Sequence, residues 1–205
     1  MSEIRIVYID DQIDELLSRY INEEYRATPL NVAPGHHVQK ICKEVRFEGE
    51  NGYGSLLNNP EVRAANVILI DNHLFEERTA DTGKFSGKQF KVILRKMLPY
   101  VEVLIITQDE GLEGDNIIHK FSDRHGADSN SYYREHLNGV VDTAIKEVFE
   151  FKALGDDLSQ STDVEKLLVD TIMQSLQGDT SYDALSKNDI DDLISAFKEI
   201  KNGCE

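Results

Sequence analysis

Short apolar segments alternate along the chain with stretches in which apolar residues recur every three or four positions. Four of the segments are rich in β-branched residues and end abruptly at polar side chains, and they cover residues 4–9, 67–70, 101–106 and 117–118. Near-continuous apolar runs of this kind are typical of strands buried on both faces of a parallel sheet. A weaker strand is predicted over residues 41–47, which brings the expected number of parallel strands to five.

Amphipathic helices are predicted between these strands. One covers residues 12–26, another follows Gly87, and a long one covers residues 131–152. In each, the apolar positions lie on one helix face. Strands that alternate with helices imply right-handed crossovers, and five strands in this rhythm predict an α/β fold with a flavodoxin-like, doubly wound parallel sheet of order 2-1-3-4-5.

The last quarter of the chain has a different pattern. Residues 1–152 contain all predicted strands, residues 153–161 form a polar predicted linker, and residues 162–205 form an acidic extension of two predicted helices. Thr162 and Glu165 are a capping-box pair at the start of the first of these helices. Two helices of this length bury too little surface to be stable alone. We therefore expect the extension to dock on the first domain, on a second copy or on a partner.

The charge of the chain narrows the range of partners. Its 205 residues include 38 Asp and Glu against 22 Lys and Arg, a formal net charge of -16. Residues 153–205 carry 12 acids and 4 bases, so half of the excess lies there. Binding to nucleic acid needs clustered Lys and Arg. The sequence therefore argues against a nucleic-acid partner and against a DNA-binding output domain.

A cytoplasmic location is expected. No apolar run is long enough to cross a membrane, and residues 1–10 have the pattern of a strand and not of a signal peptide. Cys42 and Cys204 are the only cysteines, and they lie far apart in the sequence. Two such cysteines form neither a disulfide framework nor a zinc site, which favours a reducing compartment.

Acidic residues follow two of the predicted strands. Asp10 and Asp11 come after the first strand and Asp71 after the third, while Thr107 and Lys120 end the fourth and fifth. In a parallel α/β sheet the carboxyl ends of the strands border the ligand crevice. Converging carboxylates repel one another unless a hard cation such as Mg²⁺ joins them. The set predicts a carboxylate nucleophile that accepts a phosphoryl group with metal assistance. The simpler alternative is that these aspartates are helix N-caps.

Over roughly residues 3–152 this ordered set resembles the receiver domain of two-component response regulators. The resemblance includes Gly87, which is similar to the glycine that opens the family's third helix. It implies that Asp71 is phosphorylated by a sensor histidine kinase or phosphotransfer protein, with output through an unknown protein effector. It also implies a chain that is at most self-phosphorylating or autodephosphorylating and is not a turnover enzyme.

The resemblance further assigns the ligands of the site. Asp10, Asp11 and Asp71 would bind Mg²⁺ together with the backbone carbonyl of His73. Thr107 and Lys120 would contact the phosphoryl group.

Several positions depart from the family pattern. Phe121 follows Lys120 where the family usually has proline, and Gln108 follows Thr107 where a small residue is usual. Only twelve residues separate Thr107 from Lys120, so the fourth helix is expected to be short or absent. These departures favour an alternative, a pseudo-receiver that acts as a phosphorylation-independent binding or decoy module. A further hypothesis is that the long helix over residues 131–152 pairs two chains in a homodimer.

Overall fold

The computed structural model describes residues 2–33, 36–48, 52–74, 86–122 and 128–160. The strands are β1 (Ser2–Asp10), β2 (Asn31–Ala33), β3 (His36–Arg46), β4 (Val67–Asp71), β5 (Glu102–Thr107) and β6 (Ile117–His119). The helices are α1 (Glu15–Arg19), continued by a π-helical turn (Tyr20–Tyr25), then α2 (Gly52–Leu57), α3 (Pro60–Arg63), α4 (Gly87–Met97), α5 (Ser129–His136) and α6 (Asn138–Gln160).

Five of the strands form a parallel sheet in the order β3-β1-β4-β5-β6. Numbered among the parallel strands alone, this is the predicted flavodoxin-like order 2-1-3-4-5, and the α/β fold is confirmed. The short strand β2 adds an antiparallel partner at the start of β3.

Apolar side chains cover both faces of the sheet. Along β1, Ile4, Ile6 and Tyr8 belong to one buried cluster, while Val7 and Ile9 belong to the other. The first cluster is completed by α1, the π-helical turn, α5 and α6, and the second by α2, α3 and α4. Because strands buried on both faces need apolar residues at every position, the near-continuous runs in the sequence located the central strands correctly.

One predicted helix is in fact two. The expected helix over residues 131–152 is divided into α5 and α6 at Leu137, the C-cap of α5 (φ -102°, ψ -44°). Leu137 and Val141 are both buried against the sheet, so the apolar spacing continues across the break and conceals it. Next to the break, the side-chain oxygen of Asn138 accepts a hydrogen bond from the Tyr20 hydroxyl at 2.8 Å.

The C-terminal end of α6 extends into the predicted linker. The helix continues through Gln160, so residues 153–160 are helical. The predicted two-helix extension over 162–205 lies outside the described residues, and the division into domains stays a prediction.

The segment between β5 and β6 contains turns and no helix. Residues 108–116 are all described, so the prediction that a helix in this segment is short or absent is confirmed. None of the helices in the described ranges has the length and apolar character needed to cross a bilayer.

Candidate functional site

The predicted acidic residues lie together at one edge of the sheet. Asp10 is the last residue of β1 and Asp71 the last residue of β4, and these strands are neighbours. Asp11 follows directly after β1. One carboxylate oxygen from each of the three side chains lies within 4.8 Å of the others. The strand ends therefore bring Asp10, Asp11 and Asp71 into one cluster.

Lys120 bridges two of these carboxylates. Its Nζ atom lies 2.8 Å from Oδ2 of Asp10 and 2.8 Å from Oδ1 of Asp71. The three side chains are only 8 %, 1 % and 5 % exposed. Burying charges costs hydration free energy, which close contacts with both carboxylates offset. Lys120 reaches this position because its backbone N–H donates to Thr107 O at 2.7 Å, which continues the pairing of β6 with β5.

Asp10 is held by further donors. The Tyr8 hydroxyl donates to Oδ2 of Asp10. The backbone N–H of Gln12 donates to Oδ1 of Asp10 and to Oδ1 of Asp11, each at 3.0 Å. These contacts fix the orientation of the Asp10 carboxylate before any ligand arrives.

Asp71 is oriented in a similar way. Its Oδ1 atom faces Lys120, and its Oδ2 atom accepts a hydrogen bond from the backbone N–H of His73 at 2.7 Å. His73 lies in the turn that follows β4, two residues after Asp71. The residue whose carbonyl was predicted as a metal ligand is therefore next to the acidic cluster.

Burial and charge act in opposite directions on these groups. Burial raises the pKa of Asp71, and the hydrogen bond and charge of Lys120 oppose that increase without cancelling it. Burial also raises the pKa of Asp11, and the neighbouring Asp10 raises it further. Burial lowers the pKa of Lys120, but the hydrogen bonds and charges of Asp10 and Asp71 outweigh burial and leave the pKa above its ordinary value. Lys120 therefore stays charged at neutral pH.

Gly87 places the start of α4 directly on the backbone of Asp71. Its N–H donates to Asn72 O at 2.8 Å, and a Cβ atom at this position would lie 2.2 Å from Asp71 O. The Asn72 side-chain oxygen accepts from Lys88 N at 3.3 Å. Only glycine allows this approach without a backbone shift, which gives a steric reason for the predicted importance of Gly87.

Thr107 ends β5 beside the acidic cluster. In the pairing of β4 with β5, Asp71 lies opposite Ile106, one residue before Thr107. The Thr107 side chain is fully buried, and its Oγ1 atom accepts from Asp109 N at 3.0 Å. This hydrogen bond holds the Thr107 hydroxyl in the turn that follows β5.

Phe121 replaces the proline of the family pattern with a hydrogen-bonded residue. Its backbone N–H donates to the Tyr133 hydroxyl at 3.0 Å. Proline has no N–H, so this hydrogen bond is possible only because residue 121 is not proline. It fastens the segment after β6 to α5.

The donor set suits a hard divalent cation. Three carboxylates face one ammonium group, so the formal charges leave a balance of -2. Carboxylate oxygens are the ligands that Mg²⁺ and Ca²⁺ prefer. The cluster of Asp10, Asp11 and Asp71 can hold a metal ion, and such an ion would relieve their mutual repulsion.

One contact in the site was not anticipated from the sequence. Tyr8 looked like an ordinary core residue of β1, yet its hydroxyl reaches Asp10. Residues two apart in a strand share a face, so the spacing of Tyr8 and Asp10 contained the signal. Burial and the Asp10 charge raise the pKa of Tyr8, so the phenol keeps the proton that it donates.

Comparisons with known proteins add little to this geometry. Neither a protein-family model nor a curated protein sequence matches the chain. The chain is similar to a solved structure described as "Structure of the two-component response regulator RcsB-DNA complex", with 10% sequence identity, coverage of 95% of this chain and 98% of that chain, and a TM-score of 0.36. The receiver-like character rests on the sheet order and the acidic cluster.

Proposed function

We propose that this protein is a phospho-accepting receiver, modified on Asp71 in a Mg²⁺-dependent reaction by a histidine kinase or phosphotransfer protein. The observation that carries the proposal is Lys120, which bridges Asp71 and Asp10 at the acidic end of the sheet. A helix N-cap aspartate needs only a backbone N–H as its partner, whereas here two strand-end carboxylates share one buried ammonium group. The net charge of -16 favours output through protein contacts and not through DNA.

The proposed transfer uses groups that the chain already holds in position. A carboxylate oxygen of Asp71 attacks the phosphorus of a phosphohistidine, an O–P bond forms, and the P–N bond breaks as the imidazole leaves and takes a proton from solvent. Lys120 and the His73 N–H orient the Asp71 carboxylate. The Lys120 ammonium then stabilises the charge of the phosphoryl oxygens.

A metal ion would assist this chemistry. Mg²⁺ bound by Asp10, Asp11 and Asp71, with the His73 carbonyl, would neutralise charge on the phosphoryl group. Thr107 would bind a phosphoryl oxygen after moving from its buried position. That movement would bias a two-state equilibrium of the surface around β5 and β6.

The direct test is phosphorylation by a small donor. Acetyl phosphate with Mg²⁺ should add one phosphoryl group to the full chain, detected by intact mass. Asp71→Asn should remain unmodified, whereas the matched control Asp115→Asn, at an exposed acid away from the cluster, should behave like wild type. Chelation of Mg²⁺ should abolish the modification. Equal modification of wild type and Asp71→Asn would refute the proposal.

The burial of the site favours a second candidate, the pseudo-receiver. The Asp71 side chain is 5 % exposed, both of its oxygens already accept hydrogen bonds, and Thr107 is fully buried. A binding module of this kind would use the fold without phosphotransfer. It predicts no mass change with acetyl phosphate and no response of the Asp71 amide signal to Mg²⁺ or beryllofluoride.

A further inference from the structure

The charged side chains that line a cavity next to the outer edge of β3 are all basic. The cavity has a volume of about 450 Å³ and lies between residues 26–29 and residues 38–43. Its charged lining residues are Arg26, Lys40 and Lys43, and no acidic side chain of the described residues lines it. The whole chain has a net charge of -16, so a cavity whose charged side chains are all basic contrasts with the charge of the rest of the protein.

Two of the three cations have no counter-charge among the described residues. Arg26 and Lys43 are exposed, and neither forms an ion pair with another residue in the described ranges. Lys40 is different because its Nζ atom is buried and donates to Tyr25 O at 3.1 Å and Thr28 O at 3.0 Å. The Lys40 ammonium also lies 3.9 Å from Oδ1 of Asp142, so its charge is compensated within the protein, whereas Arg26 and Lys43 offer cations that an incoming group can contact.

The same cavity borders the outer backbone edge of β3. Phe47 N donates to Asp10 O, towards β1, whereas Val38 N donates to Leu30 O on the opposite side. Backbone groups alternate in direction along a strand, so the N–H and C=O groups of Lys40 and Cys42 point away from β1. Beyond its pairing with β2 at His36 and His37, β3 has no strand on that side within the described part of the chain.

We propose that this groove, defined by residues 26–29 and 38–43, binds an acidic and extended segment of a partner protein, which adds as a strand beside β3. Main-chain hydrogen bonds to Lys40 and Cys42 would supply the affinity of strand addition. Carboxylates on the added segment would pair with Arg26 and Lys43. Six residues of β3 extend over roughly 20 Å, so about six residues of the partner would be bound.

Strand addition is favoured over simple charge attraction because two independent features coincide at the groove. The first is a pair of cations without an ion-pair partner in the described part of the chain, and the second is a backbone edge that no described strand covers. The groove involves none of the residues assigned to phosphorylation, so the proposal stands whether or not Asp71 is a phosphoacceptor.

The probe for the first experiment is a fluorescein-labelled eight-residue peptide of alternating Glu and Val. Its binding to the full chain, followed by fluorescence anisotropy, should weaken with added salt. Arg26→Gln and Lys43→Gln should each weaken binding roughly two- to fivefold, whereas Lys96→Gln, at an exposed lysine of α4, should not. The same peptide with alternate backbone nitrogens methylated keeps its charge but loses its strand donors, and it should not bind.

Amide exchange provides the second measurement. The peptide should slow exchange at Lys40 and Cys42 and leave Gln39 and Ile41 unchanged, because the latter amides already face β1. This alternation is specific to strand addition. Absence of binding, equal binding of the methylated peptide or of a short oligothymidylate, or unchanged exchange at Lys40 and Cys42 would each overturn the proposal.

Two other occupants give distinct results in the free protein. If the chain's own acidic extension fills the groove, the Lys40 and Cys42 amides will already be protected without peptide, and Arg26→Gln will expose them in a monomer. If a second copy fills it, light scattering will show a dimer that Lys43→Gln dissociates. Either result would replace the proposed partner.

Discussion

Gly87 offers the sharpest test of how the fold positions Asp71. In Gly87→Ala, the new Cβ atom would meet the Asp71 carbonyl oxygen at 2.2 Å, and it must move to at least 3.0 Å, a shift of 0.8 Å. The atom in the way belongs to the backbone, so no side-chain rotation relieves the overlap. Overpacking of this kind costs about 1–3 kcal/mol, because either the start of α4 or the end of β4 has to move.

The matched control is Gly139→Ala in α6, where nothing lies within 4 Å of the added methyl group. Alanine in a helix is favoured over glycine by about 0.5–1 kcal/mol, so this variant should be slightly more stable than wild type. Gly87→Ala should therefore lower the free energy of unfolding, whereas Gly139→Ala should raise it.

Urea unfolding followed by circular dichroism measures both free energies of unfolding. For a chain of this size, each kcal/mol corresponds to about 2–4 °C in Tm, so thermal unfolding gives an independent reading. The Asp71 amide resonance should also shift in Gly87→Ala and not in Gly139→Ala. A Gly87→Ala protein as stable as wild type would show that α4 does not press on the Asp71 backbone.

Two further predictions concern buried ionisable groups. Lys120→Met leaves Asp10 and Asp71 facing each other without the ammonium, which should cost about 3–5 kcal/mol in urea unfolding. Mg²⁺ should stabilise this variant more than wild type, and an equal effect of Mg²⁺ on both would contradict the shared role of Lys120. In a Cys204→Ser background, Cys42 should react with a thiol reagent only after unfolding, because burial raises the pKa of the thiol from 9.0 to about 11. Between pH 9.0 and about 11 the unfolded thiol ionises while the folded thiol keeps its proton, so ionisation favours the unfolded chain. The free energy of unfolding should therefore fall as the pH rises through this range. Cys42→Ser should lack that pH dependence, and rapid labelling of the native protein would contradict the burial of Cys42.

Local patterns located most of the sheet and the acidic residues. The predicted cores of β1, β4, β5 and β6 agree with the structure to within a few residues at their ends, because strands buried on both faces leave uninterrupted apolar runs. Asp10 and Asp71 were predicted to meet because the carboxyl ends of neighbouring parallel strands lie at one edge of a sheet. Neither inference needs more than the short-range order of residues and a rule for connecting strands.

The weakest prediction concerned β3, which is longer than expected and begins at His36. Lys40 interrupts its apolar pattern, yet the Lys40 side chain is almost completely buried in the structure. The ammonium lies 3.6 Å from the centre of the Tyr25 ring and 3.9 Å from Oδ1 of Asp142. Those partners come from the π-helical turn and from α6, so no local pattern indicates that this lysine is buried.

Local sequence patterns and contacts between distant segments determine different features of this protein. The order of apolar and polar residues determined the α/β class, the sheet order and the set of acids at the strand ends, because each depends on periodicity within a segment. Packing between distant segments decided which donors hold the acids, as with the Lys120 bridge between β1 and β4 and the contact of Gly87 with the Asp71 backbone. A buried charge or a close backbone approach is stable only when its partner arrives from elsewhere in the chain, and only the tertiary structure identifies that partner.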